Sequence, residues 1–266
     1  MTTTATSVRA NARKTTNGFW WTNLSASDPA SAAAFYSDIL GWSYDEMPIG
    51  ENMVHRNARI GDATVAGIDP LMPGSDAPTA WTNYVFVDDV QATWRDALAL
   101  GATGVMEPMD VMGEGHMAVL LDPQGAAFGI WQPGRHTGAD AVNQPGTYTW
   151  VELATTDVAA ARSFYGELFG WTWSEMDADF GYWLAELGGR SFAGVYPKLP
   201  EMGEMPNFWA TYFGVADIEA TASAVRAAGG TVVMGPSQLG PGRGVAAFDP
   251  QGAAFMAIQM DEWPAD

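Results

Sequence analysis

Two side chains able to do chemistry stand at equivalent places in this chain. His116 and Arg243 each lie six residues before an aspartate, Asp122 and Asp249, and each closes a glycine-rich stretch, VMGEGH and QLGPGR. An imidazole there exchanges protons near neutral pH, and a guanidinium clamps an anionic or carbonyl oxygen. Glycine-rich loops at a strand mouth are common carriers of such groups. Tyr84 and Tyr212 are a second equivalent pair, each offering a hydroxyl. The three histidines, His55, His116 and His136, follow no metal-binding spacing. His55 stands where the second half has Tyr182, and reads as a strand position with variable filling. The absence of cysteine excludes disulfides, zinc fingers and thiol nucleophiles. Neither G-x-S-x-G nor G-x-x-x-x-G-K-[ST] occurs, so a nucleophile elbow and a phosphate cradle are not expected.

These equivalences exist because the chain is written twice. Asp28, Phe35-Tyr36 and Gly41-Trp42 recur as Asp157, Phe164-Tyr165 and Gly170-Trp171, and DPQGAAF occurs at 122–128 and again at 249–255. The repeat predicts a polar, disordered tail over 1–16, a first domain over 17–132, a Gly/Pro-rich linker over 133–146 and a second domain over 147–262. In SDPASAAAFYSDILG, Asp28 suits an N-cap, Pro29 the first helical position and Gly41 the stop. A second helix per half is expected in DDVQATWRDALALG and ADIEATASAVRAAGG. Short period-2 runs such as 20–26, 81–87, 117–121 and 127–131 read as strands. DPQG fits a type I turn closing a hairpin. The fold class is therefore α+β, with helices on one face of curved mixed sheets. The other face must cover a second sheet or a ligand.

Composition narrows the partners. The 266 residues carry a formal charge of −19, although Arg9, Arg13 and Lys14 lie in the first sixteen positions. A surface this acidic repels nucleic acid and anionic membranes. Apolar residues make up 47% and there are twelve tryptophans, enough for a sizeable core and for aromatic-lined pockets. The N-terminus lacks the apolar stretch of a signal peptide and no apolar run reaches membrane-spanning length, so a cytoplasmic protein is expected.

Three motifs, D…AAAFYSDILGW, VDDVQATWRDALALGA and LLDPQGAAFGIWQ, occur in order and are repeated as D…ARSFYGELFGW, VADIEATASAVRAAGG and FDPQGAAFMAIQ. This arrangement, spanning 17–260, resembles the vicinal oxygen chelate superfamily of glyoxalases, bleomycin-resistance proteins and extradiol dioxygenases. The resemblance implies two tandem domains, each of paired βαβββ modules forming a cup-like sheet with helices on its outer face. It also implies metal ligands at positions occupied here by Trp21, Thr82 and Gly129, and by Trp150, Ala210 and Met256. On the remaining strand no acid precedes Asp69. Indole, hydrogen and thioether are no ligands for a hard dication, so no metal and no cofactor is expected.

With Trp21 and Trp150 pointing into the cups, strand alternation turns Asn23 and Glu152 inward as well. Tyr84 and Tyr212 share the face of the second ligand position, and Trp131 that of Gly129. The ligand-binding candidates are thus Trp21, Asn23, Tyr84, Trp131, Trp150, Tyr212, Arg243 and Met256, with Glu152 and His116 as acid-base candidates. The expected function is metal-free binding of a small aromatic or carbonyl-containing metabolite, as in antibiotic sequestration or metabolite sensing. The alternative is metal-independent lyase, isomerase or cyclase chemistry. Metal-dependent glyoxalase or dioxygenase activity is disfavoured. A monomer acting as an internal pseudo-dimer, or a homodimer, fits the duplication.

Overall fold

The computed structural model describes residues 14–51 and 53–263. The first half runs β1 (Phe19–Ala26), α1 (Pro29–Leu40), β2 (Ser43–Gly50), β3 (Met53–Ile60), β4 (Ala63–Pro70), β5 (Ala80–Phe86), α2 (Val90–Ala99), β6 (Thr103–Asp110), β7 (Gly115–Leu121) and β8 (Ala127–Pro133). The second half repeats the order as β9 (Tyr148–Thr155), α3 (Val158–Phe169), β10 (Thr172–Asp177), β11 (Tyr182–Leu187), β12 (Arg190–Pro197), β13 (Phe208–Gly214), α4 (Ile218–Ala227), β14 (Thr231–Leu239), β15 (Gly242–Phe248) and β16 (Ala254–Met260). Each half forms one eight-stranded mixed sheet, ordered β2-β3-β4-β1-β5-β8-β7-β6 and β10-β11-β12-β9-β13-β16-β15-β14. Two βαβββ modules meet in each sheet along an antiparallel seam, β1 with β5 and β9 with β13.

Local chemistry sets the helix ends. Asp28 accepts from the Ser31 amide at 3.0 Å and Asp157 from the Ala160 amide at 2.9 Å, which satisfies free N–H groups of the first turn. Gly41 and Gly170 close α1 and α3 in the left-handed conformation, φ 73° and 71°.

The helices cover one face of each sheet, and those faces turn toward each other. Neither of the two larger hydrophobic cores belongs to one half alone. In one core, Phe35, Tyr36, Ile39 and Leu40 of α1 pack with Phe213, Ile218, Val225 and Phe255 of the second half. In the other, Val90, Leu120, Phe128 and Ile130 pack with Leu153, Phe164, Tyr165 and Phe169.

The repeated DPQGAAF segments join these cores. In each, the Asp accepts two backbone N–H bonds of its own turn: Asp122 from Gln124 and Ala126, and Asp249 from Gln251 and Ala253, all at 2.8–2.9 Å. Its second carboxylate oxygen accepts from a tyrosine of the other half, Tyr165 Oη to Asp122 at 3.0 Å and Tyr36 Oη to Asp249 at 3.2 Å. Each tyrosine oxygen in turn accepts an indole N–H, from Trp209 at 2.8 Å and Trp81 at 2.9 Å. Gln124 and Gln251 also cross over. Their amide oxygens accept from the Asp157 and Asp28 amides, and their amide nitrogens donate to the same residues' carbonyls. The motif is therefore a turn and an interdomain latch at once.

The segment read as a linker is packed. Asp140 exchanges hydrogen bonds with the Thr64 backbone in both directions, Ala141 is fully buried, and the Gly146 carbonyl accepts from Trp42 Nε1 at 2.7 Å. Of the tail, 1–13 lies outside the described residues. Lys14 donates to the Thr137 carbonyl, and Thr16 donates to Asp88 at 3.0 Å. Among the described residues no helix is long and apolar enough to cross a membrane.

Candidate functional site

Register places the candidate residues in adjacent rows at the centre of each sheet, on the face away from the helices. In the first cup the rows read Gly67–Asn23–Thr82 and Trp21–Tyr84–Gly129. In the second they read Gly194–Glu152–Ala210 and Trp150–Tyr212–Met256. Trp21, Asn23, Tyr84, Trp131, Trp150, Glu152, Tyr212 and Met256 thus share the expected faces.

The second cup centres on Glu152. Its Oε1 accepts from Tyr182 Oη at 2.6 Å and its Oε2 from Tyr212 Oη at 2.5 Å. Trp150 Nε1 donates to Tyr182 Oη at 3.3 Å, and Tyr196 stacks on Tyr182 with ring centroids 6.3 Å apart. Ala210, Tyr212 and Ile258 form the apolar floor, with Trp150, Phe208, Met256 and Met260 around them. Glu152, Trp150, Tyr182 and Met256 all keep partial contact with solvent. Burial raises the Glu152 carboxyl above the ordinary carboxylate range, and the Tyr182, Tyr212 and Trp150 donors pull it only partly back. The tyrosine hydroxyls are raised by burial first and by the Glu152 charge second, so they remain protonated donors.

Gly194 makes this arrangement possible. A Cβ there would lie 2.1 Å from Tyr182 Oη and 3.1 Å from Glu152 Cγ. Only a glycine lets the hydroxyl cross the β12 backbone to reach the carboxylate.

The first cup is built on the same frame with different groups. Where the second has Glu152, Tyr182 and Tyr196, the first has Asn23, His55 and Asp69. Asn23 Nδ2 donates to Asp69 Oδ2 at 3.0 Å, and His55 Nδ1 lies 2.7 Å from Asp69 Oδ1. Trp21, Tyr84 and Trp131 form a buried aromatic floor with Phe86. The segment after β8 lies against that floor: His136 packs edge-on to Trp21 at 4.3 Å, and Trp131 Nε1 donates to the His136 carbonyl at 3.1 Å.

His116 and Arg243 join neither cup. Met117 pairs with Trp131, so the pleat turns His116 and its partner Gln132 to the opposite face, where Gln132 accepts from the first amide of α2. Arg243 pairs with Gln259 in the same way and is ion-paired to Glu219 of α4 at 2.7 Å. The strands begin one residue before these side chains, at Gly115 and Gly242, so neither side chain lies on a loop. Two surface clefts of about 150 and 300 Å³ also lie outside the cups, one beside Lys14 and Asp88, the other between Leu40 and Thr221.

Sequence reasoning passed over His55, Asp69, Tyr182, Tyr196 and His136. The first four were within reach. Ala66-Gly67 and Ala193-Gly194 align, and alternation carries Asp69 and Tyr196 onto the glycines' face. His136 lay in the supposed linker and gave no signal.

With the cups described, the comparisons with known proteins fall into place. Residues 147–257 match the Glyoxalase/Bleomycin resistance protein/Dioxygenase superfamily, and residues 21–131 match a glyoxalase-like domain. The glyoxylase-named CFP32 of Mycobacterium tuberculosis is 37% identical over 90% of this chain and 93% of its own length. The chain belongs to the glyoxalase/bleomycin resistance/dioxygenase superfamily. A second relative in this superfamily, the anthracycline biosynthesis protein DnrV of Streptomyces peucetius, is 34% identical over 92% of this chain and 94% of its own. Solved members share the fold. A Mn(II)-bound glyoxalase from Novosphingobium aromaticivorans superimposes with TM-score 0.61 at 14% identity, over 94% of this chain and 86% of its own. The 2,3-dioxygenase LapB from Pseudomonas sp. KL28 gives 0.62 at 14% identity, over 93% of each chain.

The residues present do not fit the metal that the superfamily implies. Among the described residues no three His, Asp or Glu groups converge. At position 129 a Cβ would lie 2.3 Å from the Tyr84 ring, which lies over the glycine and fills a ligand's place. In the second cup the single carboxylate, Glu152, is engaged on both oxygens by phenols.

Proposed function

We propose that the protein binds a small aromatic or carbonyl-containing metabolite in its second cup, without a metal, and holds it through Glu152. The observation that carries this reading is the clamp of Tyr182 and Tyr212 on the two carboxylate oxygens, inside a ring of aromatic and thioether side chains and still open to solvent. Each phenol has spent its proton on Glu152, and the Trp150 N–H is directed to Tyr182. The cup therefore offers acceptor capacity. It suits a ligand presenting a hydroxyl, or a C–H made acidic by a neighbouring carbonyl. The carboxylate and the charge of −19 disfavour an anionic ligand. The relatives named for anthracycline biosynthesis support a fused aromatic compound as the first probe.

A second reading has its own observation. A carboxyl raised by burial and contacted by ligand is matched to proton transfer near neutral pH. In that reading Glu152 removes a proton from carbon beside a carbonyl and returns it to another carbon, an isomerase reaction, or to a group leaving from the next carbon as the double bond forms, a lyase reaction. Incubation with an extract of the producing organism separates the two. Native mass spectrometry identifies the retained compound, and product analysis shows whether it returns changed. If Glu152→Gln alters retention only, the protein is a binder; if it abolishes turnover while retention persists, it is an enzyme. Undiminished retention and turnover in that variant would refute both.

A further inference from the structure

The first cup holds a titratable pair with no counterpart in the second. Asp69 is fixed on both oxygens, by Asn23 Nδ2 at 3.0 Å and by His55 Nδ1 at 2.7 Å. A carboxylate only accepts, so Nδ1 of His55 carries a hydrogen. Nε2 faces the Asn57 amide oxygen Oδ1 at 3.1 Å, an acceptor, so Nε2 carries a hydrogen as well and the ring is the imidazolium. This neutral partner can be replaced by a ligand oxyanion without leaving a charge unpaired. A Cβ built on Gly67 would lie 3.0 Å from His55 Cε1 and 3.1 Å from Trp21 Cζ2, so the imidazole edge stands in the cup beside an indole.

His55 and Asp69 both keep partial solvent access, with 16% and 30% of their side chains exposed, whereas the indoles beneath are buried. Burial lowers the proton affinity of His55. The hydrogen bond and charge of Asp69 outweigh it, and Asn57 and Glu114 act in the same sense, leaving the ring more basic than ordinary. His136, against Trp21 and Trp131, is held neutral, lowered to about 4 by burial and then by Lys14 and His55. Its Nε2 is buried with no hydrogen-bond partner.

We propose that the first cup is a second, chemically distinct site. It takes a flat conjugated molecule through the oxyanion of an acidic hydroxyl, a phenol or an enol, which accepts a hydrogen bond from His55 Nε2. The ligand O–H proton is released to solvent, and the oxyanion pairs with the imidazolium that Asp69 stabilises. Asp69 acts as a positioning residue that fixes the ring and its charge.

The probe is 4-nitrophenol at pH 6, which is yellow only as the phenolate and is mostly protonated in free solution at that pH. The wild-type protein is expected to bind one equivalent per chain in the yellow form. His55→Gln is expected to weaken that equivalent by about tenfold or more, the loss of one charge-assisted hydrogen bond, and to abolish the colour. Asp69→Asn provides a second variant with His55 intact. It is expected to bind but to lose the colour, with imidazole ¹⁵N shifts reporting loss of the imidazolium. Glu152→Gln, in the other cup, assigns the yellow equivalent to one cup or the other. A yellow equivalent that survives His55→Gln, or is absent from the wild type, overturns the proposal. So does one that disappears in Glu152→Gln alone, which would assign it to the second cup and leave the reading of that cup intact.

Discussion

Substituting Gly194 by alanine tests the second cup at its tightest point. The new methyl would sit 2.1 Å from Tyr182 Oη and 2.6 Å from its Cζ, so the phenol must swing away by about an ångström to regain ordinary contact. That movement breaks the 2.6 Å bond to Glu152 Oε1 and the 3.3 Å bond from Trp150. A hydrogen bond to a carboxylate contributes about 1.5–3 kcal/mol, which caps the fall in melting temperature at roughly 3–12 °C. The sharper readout is Glu152 itself. Its phenol donors lower a carboxyl that burial has raised, so removing one moves its titration midpoint further up. Carboxyl ¹³C NMR, with the Glu152 signal assigned by its loss in Glu152→Gln, measures this directly. Tyr182→Phe removes the same hydroxyl without pushing the ring, and should move the midpoint in the same direction. The double variant should titrate like either single one, because the hydroxyl can be lost only once. A Gly194→Ala protein whose Glu152 titrates as in the wild type would refute the reasoning, as would a double variant that shifts by the sum.

Other consequences follow from the same geometry. Glu152 is more readily protonated in the folded than in the unfolded chain, so its contribution to stability is fully present below the unfolded carboxyl range and is lost as pH rises through the raised folded value. Glu152→Gln should therefore gain in melting temperature over the wild type as pH increases from about 4 to 8, and a flat difference would contradict this. Tyr36→Phe and Tyr165→Phe each strip a donor from a buried latch aspartate and an acceptor from an indole. Each should cost about 1–3 kcal/mol, or roughly 2–12 °C, and the pair should be near additive in calorimetry. Metal analysis of the purified protein should find no stoichiometric divalent ion, and chelation should leave the melting temperature unchanged. One equivalent per chain would overturn the reading of both donor sets.

What could be read in the sequence was what local chemistry decides. Asp28 and Asp157 cap their helices by accepting from the amide three residues on, Gly41 and Gly170 end them, and the DPQG turn closes on itself. The inward face of Trp21, Asn23, Trp150 and Glu152 followed from period-2 alternation once one residue was placed. The purpose of the copied DPQGAAF was hidden because half of it is non-local: the partner of Asp249 is Tyr36, 213 residues earlier. His116 and Arg243 were read as side chains of glycine-rich loops at a strand mouth; each instead lies within a strand, where the pleat turns it away from the cup. His55 looked like an arbitrary filling opposite Tyr182. Its meaning depends on Asp69, which approaches it only when β3 pairs with β4.

The most direct test follows the Glu152 carboxyl ¹³C signal while the compound retained from the producing organism's extract is titrated into the protein. Engagement of Glu152 by that ligand predicts a saturable shift of this signal with the same midpoint as binding measured by mass spectrometry. Saturating binding that leaves the Glu152 signal unmoved would contradict the central claim.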